Sequence, residues 1–252
     1  MILSVDIGNT YTNVGIGDAS QVLKSKQFRT SEWKSREVGV KLRLLVGRRM
    51  LLGSAVASVV PEVTETACRL IEKELAVRSL TLTHRNVVGI GIDYPRPGTI
   101  GPDRLANAMA ATLRFGVPIV VVDFGTAVTF DVVDSKSCYV GGIIAPGLGA
   151  MTDYLHEKTA LLPKIRIRDP QGTIGKSTRE AMLIGAVKGY RGLVASLLDD
   201  LDRELSGSRL KVIATGGYAE LMAKDLPHVQ LVDQNLTLDG LRILGWECFG
   251  GA

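Results

Sequence analysis

Apolar positions at the start of the chain come in two short runs, Ile2–Val5 and Val14–Ile16, on either side of a Gly-Asn-Thr sequence. Runs of that length around a glycine-containing turn predict a β-hairpin, with Gln27–Thr30 as a third strand. From Glu37 to Arg48 the apolar spacing becomes that of a helix, and Leu51–Val60 (LLGSAVASVV) reads as a buried strand stopping at Pro61. Glu62–Glu74 follows as an amphipathic helix that opens at this proline. Leu80–Leu82 is a short strand, Tyr94–Gly101 a loop rich in proline and glycine, and Asp103–Phe115 a helix with Ala, Leu and Met faces.

At Ile119 the pattern begins again. The stretch IVVVDFGTAVTFDVV repeats the plan of LSVDIGNTYTNVGI: an apolar run, an aspartate, a glycine beside Asn or Thr, and a second apolar run. Asp6 and Asp123 stand 117 residues apart, and self-similarity at that separation indicates two related halves. A glycine-rich segment, YVGGIIAPGLGAM, comes next, with helices over Met151–Thr159 and Thr178–Leu205. A strand LKVIATGG at 210–217, another at Val229–Val232 and a helix from about Thr237 complete the order. It predicts two α/β domains, residues 1–115 and 116–252.

With 252 residues, 46% of them apolar, the chain can build one large core or two medium ones. Thirty basic and 26 acidic residues leave a net charge of +4 spread along the chain. The densest basic stretches, RRM at 48–50 and KIRIR at 164–168, are short and lack an aromatic stacking set. They read as solvated faces, and no nucleic-acid partner is expected. Cys68, Cys138 and Cys248 lack metal-ligand spacing and read as buried, reduced thiols of a cytosolic protein. His84, His156 and His228 are isolated from one another. The start MILSVDIGN has no basic leader region, and no stretch approaches the ~20 apolar residues that span a bilayer. A soluble, cytoplasmic protein with no membrane partner is expected.

A carboxylate at the end of a buried strand is costly to desolvate unless it meets a cation or hydrogen-bond donors. Gly8 and Gly125 remove side chains where the backbone turns, so amide N–H groups can approach an anion. Asn9, Thr10, Thr126 and Thr129 add short polar groups. Taken singly, each D-x-G turn is equally a well-capped hairpin. Seen twice, with the glycine pair of ATGG (Ala214–Gly217) ending a third strand, the set suits a phosphate chain gripped by two opposed hairpins, the aspartates handling metal ions. No other phosphate loop competes: GTIGKST at 172–178 ends like one, but Pro170 stands where its first glycine is required.

Two D-x-G hairpins followed by a late glycine pair resemble the phosphate-1, phosphate-2 and adenosine motifs of the acetate and sugar kinase/actin superfamily. Within it the chain looks like a type III pantothenate kinase. The resemblance is carried by DIGNT (6–10), Tyr94 with Pro97, GPDR (101–104), DFGTAVT (123–129), GGIIAPG (141–147), LP (162–163), GKST (175–178), ATGG (214–217) and VDQNLTLDGL (232–241). These motifs stand in the family's order over nearly the whole chain. One departure is Arg96, where the family usually has Asn. The implied fold is α/β, two ribonuclease H-like (actin-like ATPase) domains with an interdomain cleft.

The implied activity is ATP-dependent phosphorylation of the primary hydroxyl of pantothenate, the first step toward coenzyme A. Asp103, which spacing alone would allow as a helix N-cap, becomes the base that accepts the hydroxyl proton. Gly101, Pro102, Asp103 and Arg104 lie along pantothenate, with Tyr94 and Thr178 as further contacts. The alternatives at the last three are a surface ion pair for Arg104, a packing role for Tyr94 and a helix cap for Thr178. Asp6, Ile7, Gly8, Asn9, Thr10, Tyr11, Thr12 and Asn13 line the triphosphate of ATP, joined by Thr126. Asp6 acts on Mg²⁺ directly or through water, and Asp123 corresponds to the family's monovalent-cation ligand, for K⁺ or NH₄⁺. Family members are homodimers whose two subunits share the pantothenate pocket. Two other readings stay open: another small-molecule kinase or phosphatase of the superfamily, and a non-catalytic transcription accessory factor. GPDR with its upstream tyrosine stands against the first, and the retention of Asp6, Asp103 and Asp123 against the second.

Overall fold

The N-terminal hairpin forms where the apolar runs place it. In the computed structural model, which describes residues 1–35, 37–205 and 210–250, β1 (Ile2–Ile7) pairs antiparallel with β2 (Tyr11–Gly17). Strand β3 (Val22–Arg29) pairs antiparallel with β2. It starts well before the predicted Gln27, and the reason is its place at the sheet edge. Leu23 to Gln27 are exposed and only Phe28 is buried, so the alternation that marks a half-buried strand is missing. After α1 (Glu37–Val46), β4 (Gly53–Ser58) runs parallel to β1. Helix α2 (Pro61–Leu75) has its proline in the first turn, and β5 (Ser79–Thr81) lies parallel to β4. The sheet order is β3-β2-β1-β4-β5. On one face Leu3, Val5, Ile7, Val14, Ile16 and Val56 pack with Leu42 and Leu45 of α1 and Ala67 and Ile71 of α2, all essentially buried. Strand β6 (Gly91–Ile92) and helix α3 (Pro102–Phe115) follow.

The second unit repeats the plan. Strands β7 (Ile119–Phe124) and β8 (Ala127–Val133) form its hairpin, and β9 (Cys138–Pro146) continues the meander. The glycine-rich segment is therefore largely strand. Glycines there weaken the local strand preference, which is why the sequence does not announce it. Helices α4 (Leu148–Lys158) and α5 (Thr178–Glu204) precede β10 (Lys211–Thr215), which lies parallel to β7. A short α6 (Ala219–Ala223) and β11 (Leu231–Val232) complete the elements of a six-stranded sheet of order β11-β10-β7-β8-β9-β6, in which β6 pairs with β9. Asp6 and Asp123 thus occupy the same place, one residue before the end of the first strand of a hairpin.

The two units comprise Met1–Gly116, Ser137–Val140 and the chain from Asn235 onward, and Val117–Lys136 with Gly141–Gln234. Helix α7 (Leu236–Phe249) accordingly belongs with the first sheet, where it packs on β1, β2, β4 and α3. Buried Arg242 holds it there, donating to Asp239 Oδ1 at 2.6 Å and to the carbonyls of Asp18 and Ala19 at 3.2 and 2.6 Å. By length and composition α5 could cross a bilayer. Its mid-helix Arg191, however, is buried and paired with Asp169 and Asp225, and Met182, Leu183, Val187, Tyr190, Val194 and Leu198 are buried beside it. It is a core helix. Of the three cysteines only Cys68 and Cys138 are partly covered; Cys248, on the last turn of α7, is exposed, which corrects the expectation of three buried thiols.

Removing Arg242 takes from Asp239 one of its two guanidinium partners, Arg114 staying 3.2 Å from Oδ2, and takes from the Asp18 and Ala19 carbonyls their charged donor. Arg242→Met is therefore expected to lower stability by about 2 kcal/mol, the scale of hydrogen bonds to a charged group, read as a reduced urea midpoint with an unchanged slope.

Candidate active site

The first hairpin tip is built on a buried support. Gly8 N–H donates to the Tyr11 carbonyl at 3.0 Å, and a Cβ at Gly8 would sit 3.0 Å from that same oxygen. Below it, the Thr30 hydroxyl donates to the Gly8 carbonyl at 2.6 Å, and Trp33 Nε1 donates to Thr12 Oγ1 at 2.9 Å. Thr12 and Ile7 are therefore core residues of the tip, their side chains fully buried. Asn9, Thr10 and Tyr11 are the exposed ones. Asp6 and Asn13 face each other across the hairpin, with Asn13 Nδ2 donating to Asp6 Oδ2 at 3.2 Å and Gln27 donating to Asn13 Oδ1 at 2.9 Å. Asp6 is only partly covered. The structure thus gathers Asp6, Gly8, Asn9, Thr10, Tyr11 and Asn13 at one tip, with Ile7 and Thr12 beneath it.

In the second unit Asp123 is paired in register with Thr129 on β8 and Thr215 on β10. Three glycines crowd around this strand end. Gly125 N–H donates to the Ala127 carbonyl at 3.0 Å, and Gly147 N–H to the Thr126 carbonyl at 3.1 Å. Gly147 could carry no side chain, since a Cβ would lie 2.6 Å from the Gly125 carbonyl oxygen. Gly216 holds φ at +93°, and a Cβ there would overlap Asp123 Oδ1 and sit 2.7 Å from the Phe124 nitrogen. Here glycine is demanded twice over, by conformation and by space. Gly216, at the end of the ATGG stretch, therefore closes directly on the Asp123 hairpin, and Thr126 sits in the same turn.

The GPDR segment forms the start of α3. Pro102 is its first residue and Asp103 lies in the first turn, where the positive end of the helix dipole favours an anion. The Asp103 carboxylate folds back over Gly101, where any Cβ would overlap Oδ1, and accepts the Arg104 N–H at 2.9 Å. Burial raises its pKa above the ordinary aspartate value, partly offset by that N–H and by the Arg104 charge. The Arg104 guanidinium stands 5.9 Å from the centre of the Tyr139 ring, and Tyr94 meets the same ring edge-on at 6.3 Å. Tyr94, Gly101, Pro102, Asp103 and Arg104 are thus brought together around a fully buried Tyr139. Sequence reading misses Tyr139: it lies in the glycine-rich segment, and only the pairing of β9 with β6 (Ile92↔Tyr139) brings it here.

Thr178 belongs to the second unit, exposed at the first position of α5. It does not cap the helix. Ser177 does, accepting the Glu180 N–H at 3.3 Å, which leaves the Thr178 side chain available. The KIRIR stretch is more than a solvated face, because Lys164, Arg166 and Arg179, with Asp153, Thr152 and Tyr218, line a cavity of about 660 Å³. It borders the glycine pair through Tyr218, whose N–H donates to the Phe124 carbonyl at 3.2 Å. His156 bonds the Leu162 carbonyl and His228 bonds Asp199. Among the described residues no three His, Cys, Asp or Glu side chains gather as a metal site.

A family model described as type III pantothenate kinase matches residues 2–200. A protein of that name from Akkermansia muciniphila is 45% identical over 96% of this chain and 96% of its own length. Another, from Methylacidiphilum infernorum, is 41% identical over 97% of this chain and 88% of its own. Among solved structures, a Campylobacter jejuni protein described as a Baf-family transcriptional activator superposes with a TM-score of 0.62 at 20% identity, covering 98% of both chains. The ethanolamine utilization protein EutJ of Carboxydothermus hydrogenoformans gives 0.57 at 15% identity, over 96% of this chain and 89% of that one. These likenesses concern the fold, which is that of two ribonuclease H-like, actin-like ATPase domains.

The buried support and the exposed tip separate experimentally. Thr12→Val leaves the Trp33 indole N–H without its acceptor and is expected to cost about 1–3 kcal/mol in urea unfolding. Asn9→Ala and Thr10→Ala, at the tip, stay within about 0.5 kcal/mol of the parent.

Proposed function

The chain belongs to the type III pantothenate kinase family, and from that premise we propose that it transfers the γ-phosphate of ATP to the primary hydroxyl of pantothenate, giving 4′-phosphopantothenate for coenzyme A biosynthesis. The observation that carries the assignment of roles is the Asp103 group: a desolvated carboxylate at a helix N-terminus, with an arginine and two tyrosines beside it. Phosphoryl transfer asks for positioning, charge neutralisation and a group that orients the attacking hydroxyl. Asp103 accepts the hydroxyl proton, and its raised pKa makes it a stronger base than an exposed aspartate. Arg104 takes the pantothenate carboxylate, for which a guanidinium is the matching two-pronged partner. Gly101, Pro102, Tyr94 and Thr178 complete the substrate contacts.

The first tip, Asp6 to Asn13, takes the triphosphate: Gly8, Asn9, Thr10 and Tyr11 at its surface, Ile7 and Thr12 through backbone only, since their side chains are buried. Thr126 contributes from the second hairpin. The adenosine end belongs at Gly216–Gly217, where the cavity beside Tyr218 offers space within the second unit. A kinase of this fold uses ATP with a divalent metal. Mg²⁺ is commonly held by one or two carboxylates together with substrate phosphates. Asp6, a single partly covered carboxylate with Asn13 beside it, suits that arrangement, directly or through water. Bound there, the ion would neutralise phosphate charge. Asp123, crowded by backbone at Gly125 and Gly216, is assigned to the monovalent cation, K⁺ or NH₄⁺.

The enzyme acts as a cytoplasmic homodimer, without nucleic acid or membrane. The support for dimerisation is a set of exposed apolar side chains in the second unit, Ile144 (63%), Tyr154 (61%), Leu161 (89%) and Ile174 (77%), on β9, α4 and the segment after it. Sedimentation at twice the 27.0 kDa chain mass is expected, shifting toward the single-chain mass in Tyr154→Lys/Leu161→Asp. A monomeric parent would remove the dimer from this reading.

Coupled ADP release should require pantothenate and be faster in K⁺ than in Na⁺, with Asp103→Asn slower by on the order of 10²-fold or more. Normal turnover in that variant would dismiss Asp103 as the base. A base works deprotonated, so activity rises with pH through its pKa. Because burial raises the Asp103 pKa, the acid limb of kcat/KM should lie above the ~3.9 of an ordinary aspartate.

A further inference from the structure

Helix α7 touches both the strands that carry the first hairpin and the helix that carries Asp103. Toward the sheet it is seated on glycines. A Cβ at Gly15 would sit 3.1 Å from Leu238 Cδ1, and one at Gly53 would sit 2.5 Å from the Phe249 ring. Gly245 of α7 comes equally close to β1, since a Cβ there would lie 2.5 Å from Ile2 Cγ2. Toward α3 the approach is backbone against backbone. A Cβ at Gly240 would overlap the Ala106 carbonyl oxygen and lie 2.6 Å from its carbon. One turn away, the Thr237 hydroxyl donates to Asn107 Oδ1 at 2.7 Å, and Asn107 is buried.

Ala106 and Asn107 come three and four residues after Asp103, so all three share one stripe of α3. The contacts of α7 therefore fall on the turn directly below the carboxylate. The Gly240 contact cannot absorb a shift by changing a rotamer, because Gly240 has no side chain to move. The Asp103 carboxylate lies over Gly101, in the space a Cβ there would need, and is held by the Arg104 N–H. Displacing α3 by an ångström displaces the carboxylate by the same amount.

We infer that α7 is a positioning element for phosphoryl transfer: through Thr237 and Gly240 it sets where Asp103 stands relative to the Asp6 hairpin, whose strands it grips from the same side. The inference rests on the role of Asp103 as the base. It gives the LTLDG stretch a task that the substrate contacts leave unassigned.

The test compares Thr237→Val, Thr237→Ser, Gly240→Ala and Asp103→Asn in the full chain, by kcat, KM for ATP, the pH profile of kcat/KM and thermal unfolding. A misplacement of about 1 Å can cost on the order of 10²-fold in rate, so Gly240→Ala is expected to lose that much kcat. Thr237→Val should lose on the order of 10-fold, since it removes one of the two contacts and keeps the other. In both, KM for ATP stays near the parent value and the acid limb moves toward the ordinary carboxylate range as Asp103 loses its enclosure. Thr237→Ser, which keeps the hydroxyl, restores kcat and the limb. Thr237→Val with the parent's kcat and acid limb, whatever its melting temperature, overturns the inference, as does failure of the serine to rescue. Should Gly240→Ala not fold, the Thr237 pair decides alone. An active Asp103→Asn would sink the base assignment itself and the inference with it, an outcome distinct from an inactive Asp103→Asn beside a normal Thr237→Val.

Discussion

A carboxylate at the end of a buried strand has to be compensated where it stands, and the chain meets that requirement twice with the same architecture. Asp6 and Asp123 each sit one residue from the end of a central strand, with an antiparallel hairpin on one side and a parallel strand on the other. Desolvation would penalise such groups heavily in a sealed core. At the first site Asn13 donates to Asp6, and at the second the missing side chains of Gly125 and Gly216 let backbone come close to Asp123. Backbone laid open by glycine beside a carboxylate is also what a metal-bound phosphate needs in order to approach.

The two sites are not copies in detail. The first tip stands on a hydroxyl and indole network, Thr12, Thr30 and Trp33, that is wholly structural. In the second, the support is backbone itself, with Gly147 against Thr126 and Gly216 against Phe124. A duplicated strand order has been filled by different side-chain chemistry in each half. The third acidic group, Asp103, follows another logic: it is held by a helix N-terminus and a neighbouring arginine, and burial leaves it the more basic.

Helix α7 shows how the first unit joins these parts. Glycines on β2, β4 and α7 let the helix lie deep on the sheet, and Gly240 lets α3 lie equally close on its other side. A buried polar set, Arg242 with Asp239 and Thr237 with Asn107, fixes its register. Close approach gives rigidity here, because backbone contacts have no rotamers to yield.

Much of this was legible in the sequence. The repeated D-x-G hairpins, the glycine pair after a late strand and the GPDR helix start were readable because each depends on local rules: strand periodicity, the need for glycine in tight turns, and proline in a helix's first turn. Edge strand β3 and glycine-rich β9 were read short or not at all, since their strand state comes from neighbours rather than from their own alternation. Only the tertiary structure decided that Tyr139 lies beside Arg104, that Thr12 supports the tip from below, that Ser177 rather than Thr178 caps α5, and that the last helix returns to the first sheet. Each of these joins residues far apart in the chain, or picks between neighbours equally able to do the job. Local preference cannot make such choices, because the packing that makes them exists only once the chain has folded.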